Sequence, residues 1–176
     1  HLLVKCLTCG FVRAADENFN EDFDDVYSDR YYNSGDYLDY TFEEKALNKN
    51  FHNRLGIILD YIGKGKMLEI GCAYGYFLKL AKDYFDVQGV ERNISLAQKI
   101  SSSLELKISG GSFESANIDG SFDVIVALDT IEHVQSPATF VKKCNYILKN
   151  GGYLFLETGD ISALNPRLRG EKWRLV

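Results

Sequence analysis

The chain has 176 residues and lacks any apolar run that approaches the ~20 residues of a membrane-spanning helix. No signal-peptide pattern opens it, so a membrane protein is not expected. Basic residues are not in excess, since 20 lysines and arginines stand against 25 aspartates and glutamates, for a formal net charge of −5. That balance argues against nucleic acid as a partner. Length and composition instead indicate one globular domain that can bury a core.

Cysteines are also few, and their pattern does not suggest a disulfide framework. Cys72 and Cys144 lie within apolar patterns that are typical of reduced core cysteines, which favours a cytoplasmic protein. Cys6 and Cys9 form a Cys-x-x-Cys-Gly sequence, which is half of a zinc knuckle. A structural zinc site needs four ligands, and no second pair follows. We therefore favour a β-hairpin turn with two free thiols and predict no metal site, with the half knuckle as the alternative.

The chain divides into three predicted parts. Residues 1–40 are expected to form a cap or lid, residues 41–160 the main domain, and residues 161–176 the tail of a truncated domain. The chain opens with His1 rather than Met, and residues 172–176 lack a polar, fraying end, so we expect both ends to be cut from something longer.

Aromatic side chains stand out in the cap and the tail. Tyr31 and Tyr32, like Tyr76 in the main domain, are candidates for closing a site over a ligand. Trp173 is a candidate for packing on the last strand or on a second copy of the chain, so a homodimer is one expected assembly.

Strand and helix patterns alternate through the main domain, which predicts a parallel α/β sheet. Thr41 begins a capping box and is the predicted N-cap of the first helix. Asn93 and Ser136 are predicted N-caps of two later helices, the second with Pro137 in its first turn. The predicted strands comprise residues 67–70, 86–91, 104–108, 122–128 and 153–157, with a turn at 150–152.

The stretch 66–78 holds an apolar run, two glycines and then an apolar helix face. Strand, glycine-rich turn and helix in that order are typical of the first half of a nucleotide-binding βαβ unit. A P-loop is excluded, because too few residues separate Gly71 from Gly75 and no Lys-Ser/Thr follows. A dinucleotide fingerprint is excluded as well, because its middle glycine is Ala73 here.

Two carboxylates point to a different ligand. Ligands of open α/β sheets bind beyond the carboxyl ends of the strands. There Glu69 would repel a pyrophosphate, whereas it suits a cationic ligand with an amino group. Glu91 ends the next strand, where a carboxylate can bind both hydroxyls of a ribose.

Five segments in order resemble motifs of the class I S-adenosylmethionine-dependent methyltransferases. The resemblance extends over residues 55–160 and is closest to enzymes that act on small molecules, including quinone-precursor O-methyltransferases. The N-terminal Cys-x-x-Cys resembles a bacterial subgroup found with sugar, glycolipid or secondary-metabolite pathways. The five segments are residues 68–75, 87–91, 120–125, 129–137 and 148–152.

The resemblance implies a Rossmann-like fold with strand order 3-2-1-4-5, helices on both faces, and the family's sixth and seventh strands missing. It implies S-adenosylmethionine as cofactor and S-adenosylhomocysteine as product. The expected reaction is methylation of a small molecule, at oxygen of a sugar, glycolipid or metabolite. The alternative is a cofactor-binding but catalytically incomplete fragment or a non-catalytic module. The acceptor itself is not identified by the sequence.

The resemblance also implies roles at the glycine-rich turn. Backbone at Gly71, Ala73 and Gly75 would lie against the methionyl part of the cofactor. Ala73 replaces a glycine there and fits if its φ is negative. Glu69 would reach the amino group, and Glu91 would bind the ribose.

The remaining roles fall on the later loops. Arg92 would lie along the adenine face, and Ser112 and Phe113 would bracket the adenine. Asp129 would close the pocket near the sulfonium. His133 is the candidate catalytic base, because an imidazole is partly neutral at pH 7 and can accept a proton from an oxygen nucleophile. A solvated arginine, ordinary loop packing, a helix N-cap and a surface histidine are the plainer alternatives.

Overall fold

A computed structural model describes residues 3–14, 40–160 and 163. The strands are β1 (Leu3–Lys5), β2 (Val12–Ala14), β3 (Gly65–Ile70), β4 (Phe85–Glu91), β5 (Lys107–Gly110), β6 (Phe122–Leu128) and β7 (Leu148–Glu157). The helices are α1 (Tyr40–Tyr61), α2 (Tyr76–Ala81), α3 (Ile94–Leu104) and α4 (Pro137–Ile147), with a short 3₁₀ helix at Ile131–His133.

Five strands form one parallel sheet in the order β5-β4-β3-β6-β7. Counted from β3, this is the order 3-2-1-4-5 expected from the sequence, and that prediction is confirmed. In the central strand, Leu68 pairs with Gln88 of β4 on one side and with Ile125 of β6 on the other. The carboxyl ends of β3, β4 and β6 therefore lie side by side, which is where the candidate site forms.

The core lies on both faces of the sheet because successive strand side chains point to opposite faces. On one face, β3 and β6 pack against α1 and α2, and on the other they pack against α4. The first cluster includes Leu55, Ile58, Met67, Phe77, Leu78, Val124 and Val126. The second includes Leu68, Ile70, Phe122, Ile125, Phe140, Cys144 and Ile147.

Local capping signals account for two helix starts. The side chain of Asn93 accepts a hydrogen bond from the Leu96 amide at 2.8 Å. Ser136 accepts one from the Thr139 amide at 3.3 Å, and Pro137 occupies the first turn of α4. Both N-caps agree with the sequence prediction.

Helix α1 begins one residue before its predicted cap. Its first residue is Tyr40, so Thr41 lies inside the first turn rather than at the N-cap. A shift of one residue is within the usual spread of helix boundaries.

The predicted third strand, 104–108, was placed too early. Leu104 is the last residue of α3, and Glu105 ends the helix in the left-handed region with φ 56°. The amide of Leu106 then donates to the Ser101 carbonyl at 3.2 Å, which closes the helix end. The chain is therefore free to form β5 only from Lys107 onward.

The last strand begins earlier than predicted, at Leu148 rather than at 153. The predicted turn at 150–152 lies inside it as a break in register, because Phe122 pairs with Leu148 but Val124 pairs with Tyr153.

The N-terminal hairpin pairs β1 with β2 in antiparallel register, as a separate two-stranded sheet. Cys6 and Cys9 are free, exposed thiols in its turn. Within the described ranges, no group of three or more His, Cys, Asp or Glu side chains could hold a metal ion. No helix in the part of the chain that the structure describes is long and apolar enough to cross a membrane. The predictions made for Tyr31, Tyr32 and Trp173 lie outside the described residues.

Candidate functional site

A cavity of about 390 Å³ opens beyond the carboxyl ends of the central strands. Its walls come from α1, the loop after β3, the end of β4, the loop after β5 and the segment after β6. The cavity therefore lies where open α/β sheets bind their ligands. Nine sequence-predicted residues line it: Glu69, Gly71, Ala73, Tyr76, Glu91, Arg92, Phe113, Asp129 and His133. The two predicted residues outside the lining are Gly75 and Ser112.

Glu69 is the most unusual group in the cavity. Its side chain is 4% exposed, and its Oε2 accepts no hydrogen bond. Burial raises the pKa of this carboxyl well above its ordinary value, and the nearby charge of Glu91 raises it further. A buried, unsatisfied carboxyl oxygen at a cavity wall is the acceptor that a cationic amino group of a ligand requires.

Glu91 links the ends of two loops. Its Oε2 accepts a hydrogen bond from the Ala73 amide and its Oε1 one from the Asn93 amide, each at 2.9 Å. The side chain is buried, so both loops are fixed against one carboxylate. A carboxylate oxygen can accept more than one hydrogen bond, which suits this group to the vicinal hydroxyls of a sugar.

Ala73 corrects one sequence expectation, because its φ is +43° rather than negative. The left-handed region costs a residue with a Cβ about 1–2 kcal/mol. Here that conformation turns the Ala73 amide toward Glu91, and the resulting charge-assisted hydrogen bond opposes the strain. The position thus has the glycine-like backbone of the motif without the glycine.

The two glycines of the turn do different things. A Cβ on Gly71 would lie 2.5 Å from Oγ1 of Thr130, so its absence lets the loop after β6 approach the loop after β3 at the cavity. A Cβ on Gly75 would lie 2.8 Å from side-chain atoms of both Ile100 and Leu104. Gly75 therefore serves the packing of α2 against α3, and it does not contact the cavity.

The loop after β5 reaches the cavity differently from the prediction. The Ser112 hydroxyl is engaged with Ser115, whose Oγ lies 2.8 Å away, and Ser112 is not part of the lining. The Phe113 ring is buried and packs edge-on against Phe140, with 5.1 Å between centroids. Gly111 also lines the cavity, and its φ of +107° is a backbone conformation that the sequence pattern does not predict.

Asp129 and His133 lie together on the segment after β6. The Asp129 amide donates to the Glu157 carbonyl at 2.9 Å. Partial burial raises the pKa of the Asp129 carboxyl, and so does repulsion by Glu132 and Glu157, while Arg54 and His133 oppose the rise. His133 ends the 3₁₀ helix with an exposed side chain at the cavity.

One wall of the cavity was missed by sequence reasoning. Helix α1 contributes Asn50, Phe51 and Arg54, none of which belongs to a motif. Nε of Arg54 donates to Oε2 of Glu157 at 2.6 Å, and its Nη2 donates to the other carboxylate oxygen. The sequence signal that could have indicated such a wall is the apolar face of this helix, with Phe51, Leu55 and Ile58, which packs against the sheet.

These groups fit the cofactor that the sequence resemblance implied. The unsatisfied oxygen of Glu69 suits an ammonium group, Glu91 suits a ribose diol, and the buried Phe113 offers an apolar wall for a base. Acidic residues outnumber arginines in the lining of the cavity. This excess of acidic groups suits a ligand that carries a positively charged sulfonium.

Comparisons with known proteins indicate the family of the chain. Residues 36–176 match the family model of a methyltransferase domain. Ubiquinone biosynthesis O-methyltransferase of Cronobacter sakazakii is 28% identical over 127 residues, which are 66% of this chain and 52% of that protein. More broadly, the chain spans about half the length of the curated relatives it matches.

Solved structures support the fold. A methyltransferase of Thermotoga maritima, described as a possible histamine N-methyltransferase, has a TM-score of 0.59 and 25% identity over 75% of this chain and 63% of its own. CalS10 from Micromonospora echinaspora, an amino pentose methyltransferase solved with S-adenosylmethionine bound, has the same TM-score of 0.59 at 19% identity, over 68% and 56%.

The Rossmann-like fold predicted from the sequence is therefore confirmed. Methyltransferases of this fold use S-adenosylmethionine as methyl donor and release S-adenosylhomocysteine, in agreement with the cofactor expected from the motifs. Since the family model covers well over half of the residues, the chain belongs to the methyltransferase-domain family.

Proposed function

We propose that the chain binds S-adenosylmethionine in this cavity and transfers its methyl group to a small-molecule acceptor. The observation that carries the proposal is the buried Oε2 of Glu69, which accepts no hydrogen bond and faces the same cavity as Glu91. An unsatisfied buried carboxyl is costly, and an ammonium donor would offset that cost. A dinucleotide would instead place a pyrophosphate near this carboxyl, and an ionised pyrophosphate has no proton to donate to the unsatisfied oxygen.

The cofactor-binding residues follow from their positions. Glu69 binds the amino group, and the backbone of Gly71 and Ala73 lies against the methionyl part. Glu91 accepts hydrogen bonds from the ribose hydroxyls, while Phe113 forms the apolar wall for the adenine. Arg92, which follows Glu91 at the end of β4, lies along the same nucleoside end of the cavity.

When bound, the cofactor supplies an electrophilic methyl group on a positively charged sulfur. The chain's own contribution is to align the acceptor and to exclude water. An oxygen acceptor must also lose its proton, and we infer that the His133 imidazole accepts it. The His133 side chain lies at the cavity and interacts electrostatically with Asp129. The Asp129 carboxylate then stabilises the imidazolium through the charge interaction between the two groups.

Oxygen is the acceptor atom that we favour. Support comes from the name of the Cronobacter relative, an O-methyltransferase of ubiquinone biosynthesis, and from a candidate base at the cavity. The expected acceptors are hydroxyl groups of a sugar, a glycolipid or another metabolite, as the sequence resemblance implied.

Cofactor binding without turnover is the second candidate. It remains the alternative because the groups that carry the proposal, Glu69 and Glu91, concern the cofactor and not the acceptor. A turnover assay distinguishes the two: S-adenosylhomocysteine formation is measured with a catechol, a reducing sugar and an amine as acceptors. Product formed with the catechol or the sugar, and not with the amine, supports O-methylation. Cofactor binding with no product from any acceptor would support the binding-only function.

A further inference from the structure

Lys143 lies on α4, outside the cavity, and its ammonium group is held by three backbone carbonyls. Nζ donates to the carbonyls of Phe113 at 2.5 Å, Glu114 at 3.1 Å and Ala116 at 2.7 Å. An ammonium has three protons to donate, so all of them are used here. Burial lowers the pKa of this lysine, while Glu114 opposes the change.

The carbonyls belong to one tight loop. The Ala116 amide donates to the Ser112 carbonyl at 2.9 Å, so the chain reverses direction within five residues and its carbonyls converge on one point. Converging carbonyl dipoles repel one another unless a cation lies between them. Lys143 also lies 4.9 Å from the centre of the Phe113 ring, close enough for a cation–π interaction.

The other side of this loop forms part of the cavity wall. Gly111, Phe113 and Glu114 line the cavity, whereas Lys143 does not. The loop is also fixed at its start, where the Gly111 amide donates to the Glu91 carbonyl at 2.9 Å. Glu91 and the loop therefore meet the same end of the ligand, and the loop has one anchor on β4 and one on α4.

We propose that Lys143 is a positioning residue for the nucleoside end of the cavity. Its ammonium group holds the carbonyls of residues 113–116 together, so that Phe113 meets an adenine as a preformed wall. The inference rests on the proposed function, since it assumes an adenosine-bearing ligand. Preorganisation of this kind changes affinity, because a loop that must be ordered on binding lowers the affinity by the cost of ordering it.

The test compares Lys143→Met, which keeps the length of the stem, with Lys143→Arg, which keeps the charge. Lys142→Met is the matched control, because Lys142 is the exposed neighbour on the same helix. Calorimetry measures the affinity for S-adenosylhomocysteine and for adenosine, and circular dichroism measures the melting temperature. We expect Lys143→Met to weaken both ligands by the same factor of about ten, which corresponds to about 1.4 kcal/mol. Arginine should restore most of the loss, and Lys142→Met should bind as the unchanged protein does.

Equal affinities in the unchanged protein and Lys143→Met would overturn the proposal, even if the melting temperature fell. A lower affinity for S-adenosylhomocysteine without a lower affinity for adenosine would also overturn the proposal, since the loop faces only the nucleoside end. If Lys143→Met does not fold, Lys143→Gln takes its place, and unchanged affinity there would have the same meaning. Failure of the unchanged protein to bind S-adenosylhomocysteine would overturn the proposed function as well, which separates the two claims.

Discussion

The amide of Ala73 donates a hydrogen bond to the buried carboxylate of Glu91 at 2.9 Å, and this contact holds Ala73 at a φ of +43°. The residue that replaces the motif glycine thus keeps a backbone conformation that favours glycine. The strained loop after β3 and the ribose-binding candidate at the end of β4 are therefore one structural unit.

Replacement of Ala73 by glycine should relieve this strain without loss of the hydrogen bond, because the amide remains. We expect the free energy of unfolding to rise by up to about 1 kcal/mol, which is the left-handed strain less the added chain entropy of glycine. The affinity for S-adenosylhomocysteine should stay the same. Urea unfolding and calorimetry measure the two quantities. Ala97→Gly, inside α3, is the control and should destabilise the protein; a similar loss in Ala73→Gly would contradict the strain.

Glu69→Gln tests the buried carboxyl. The folded-state pKa of Glu69 lies well above the ordinary value of 4.5. The protonated carboxyl therefore contributes stability that is fully present below pH 4.5 and is lost as the pH rises through the folded-state pKa. Each unit of elevation is worth about 1.4 kcal/mol. The ligand-free protein should lose stability as the pH rises from the ordinary value toward the raised folded-state pKa, and Glu69→Gln should lose less. The same variant should bind S-adenosylmethionine at least about tenfold more weakly, because an amide does not pair with an ammonium charge.

The control for Glu69→Gln is Glu114→Gln, at an exposed carboxyl of the same cavity. It makes the same carboxyl-to-amide change without the burial of Glu69. An equal slope in Glu69→Gln and the unchanged protein, measured by urea unfolding, would show that Glu69 does not hold a proton in the folded state.

The paired hydrogen bonds between Arg54 and Glu157 should matter more for cofactor binding than for the stability of the fold. The pair is partly exposed, with side chains 24% and 38% accessible, so its loss should cost less than about 1 kcal/mol of unfolding free energy. Arg54→Met removes the link between α1 and β7, and we expect the affinity for S-adenosylhomocysteine to fall several-fold. Lys49→Met, an exposed cation on the same helix, is the control.

The same variant makes a second measurement possible. The charge of Arg54 opposes the rise in the pKa of Asp129, so Arg54→Met should raise that pKa further. Titration of the Asp129 carboxyl followed by NMR measures the change. A pKa that falls or stays constant would contradict the placement of Arg54 beside this carboxylate.

His133→Ala tests the proton acceptor once a hydroxyl acceptor has been found. Loss of a general base costs about a factor of 10²–10⁴ in turnover, whereas cofactor affinity should change little because the proton is on the acceptor. Initial rates and calorimetry together separate the two effects. Turnover close to that of the unchanged protein would remove His133 from the mechanism.

Much of the fold was predictable because its signals are local. The caps at Asn93 and Ser136 use side chains three residues from their partners. The alternation of strands and helices indicated a parallel sheet, and the motif resemblance implied its strand order. The end of α3 was missed because Glu105 adopts a left-handed conformation for which its residue type gives no signal.

The site was predictable only where the sequence carries motifs. Glu69 and Glu91 end strands at the centre of the sheet, so their convergence follows from topology. The wall formed by Arg54 depends on Glu157, 103 residues away, and the loop held by Lys143 depends on a helix 30 residues later. Such pairings depend on tertiary packing, and no local sequence pattern predicts them.

Calorimetric titration of the protein with S-adenosylmethionine, S-adenosylhomocysteine and NAD tests the central claim most directly. Both sulfur ligands should bind with one site per chain, NAD should give no binding heat, and Glu91→Ala should abolish the binding of the first two. Binding of NAD without binding of either sulfur ligand would contradict the account, and unchanged affinity in Glu91→Ala would contradict its ribose site.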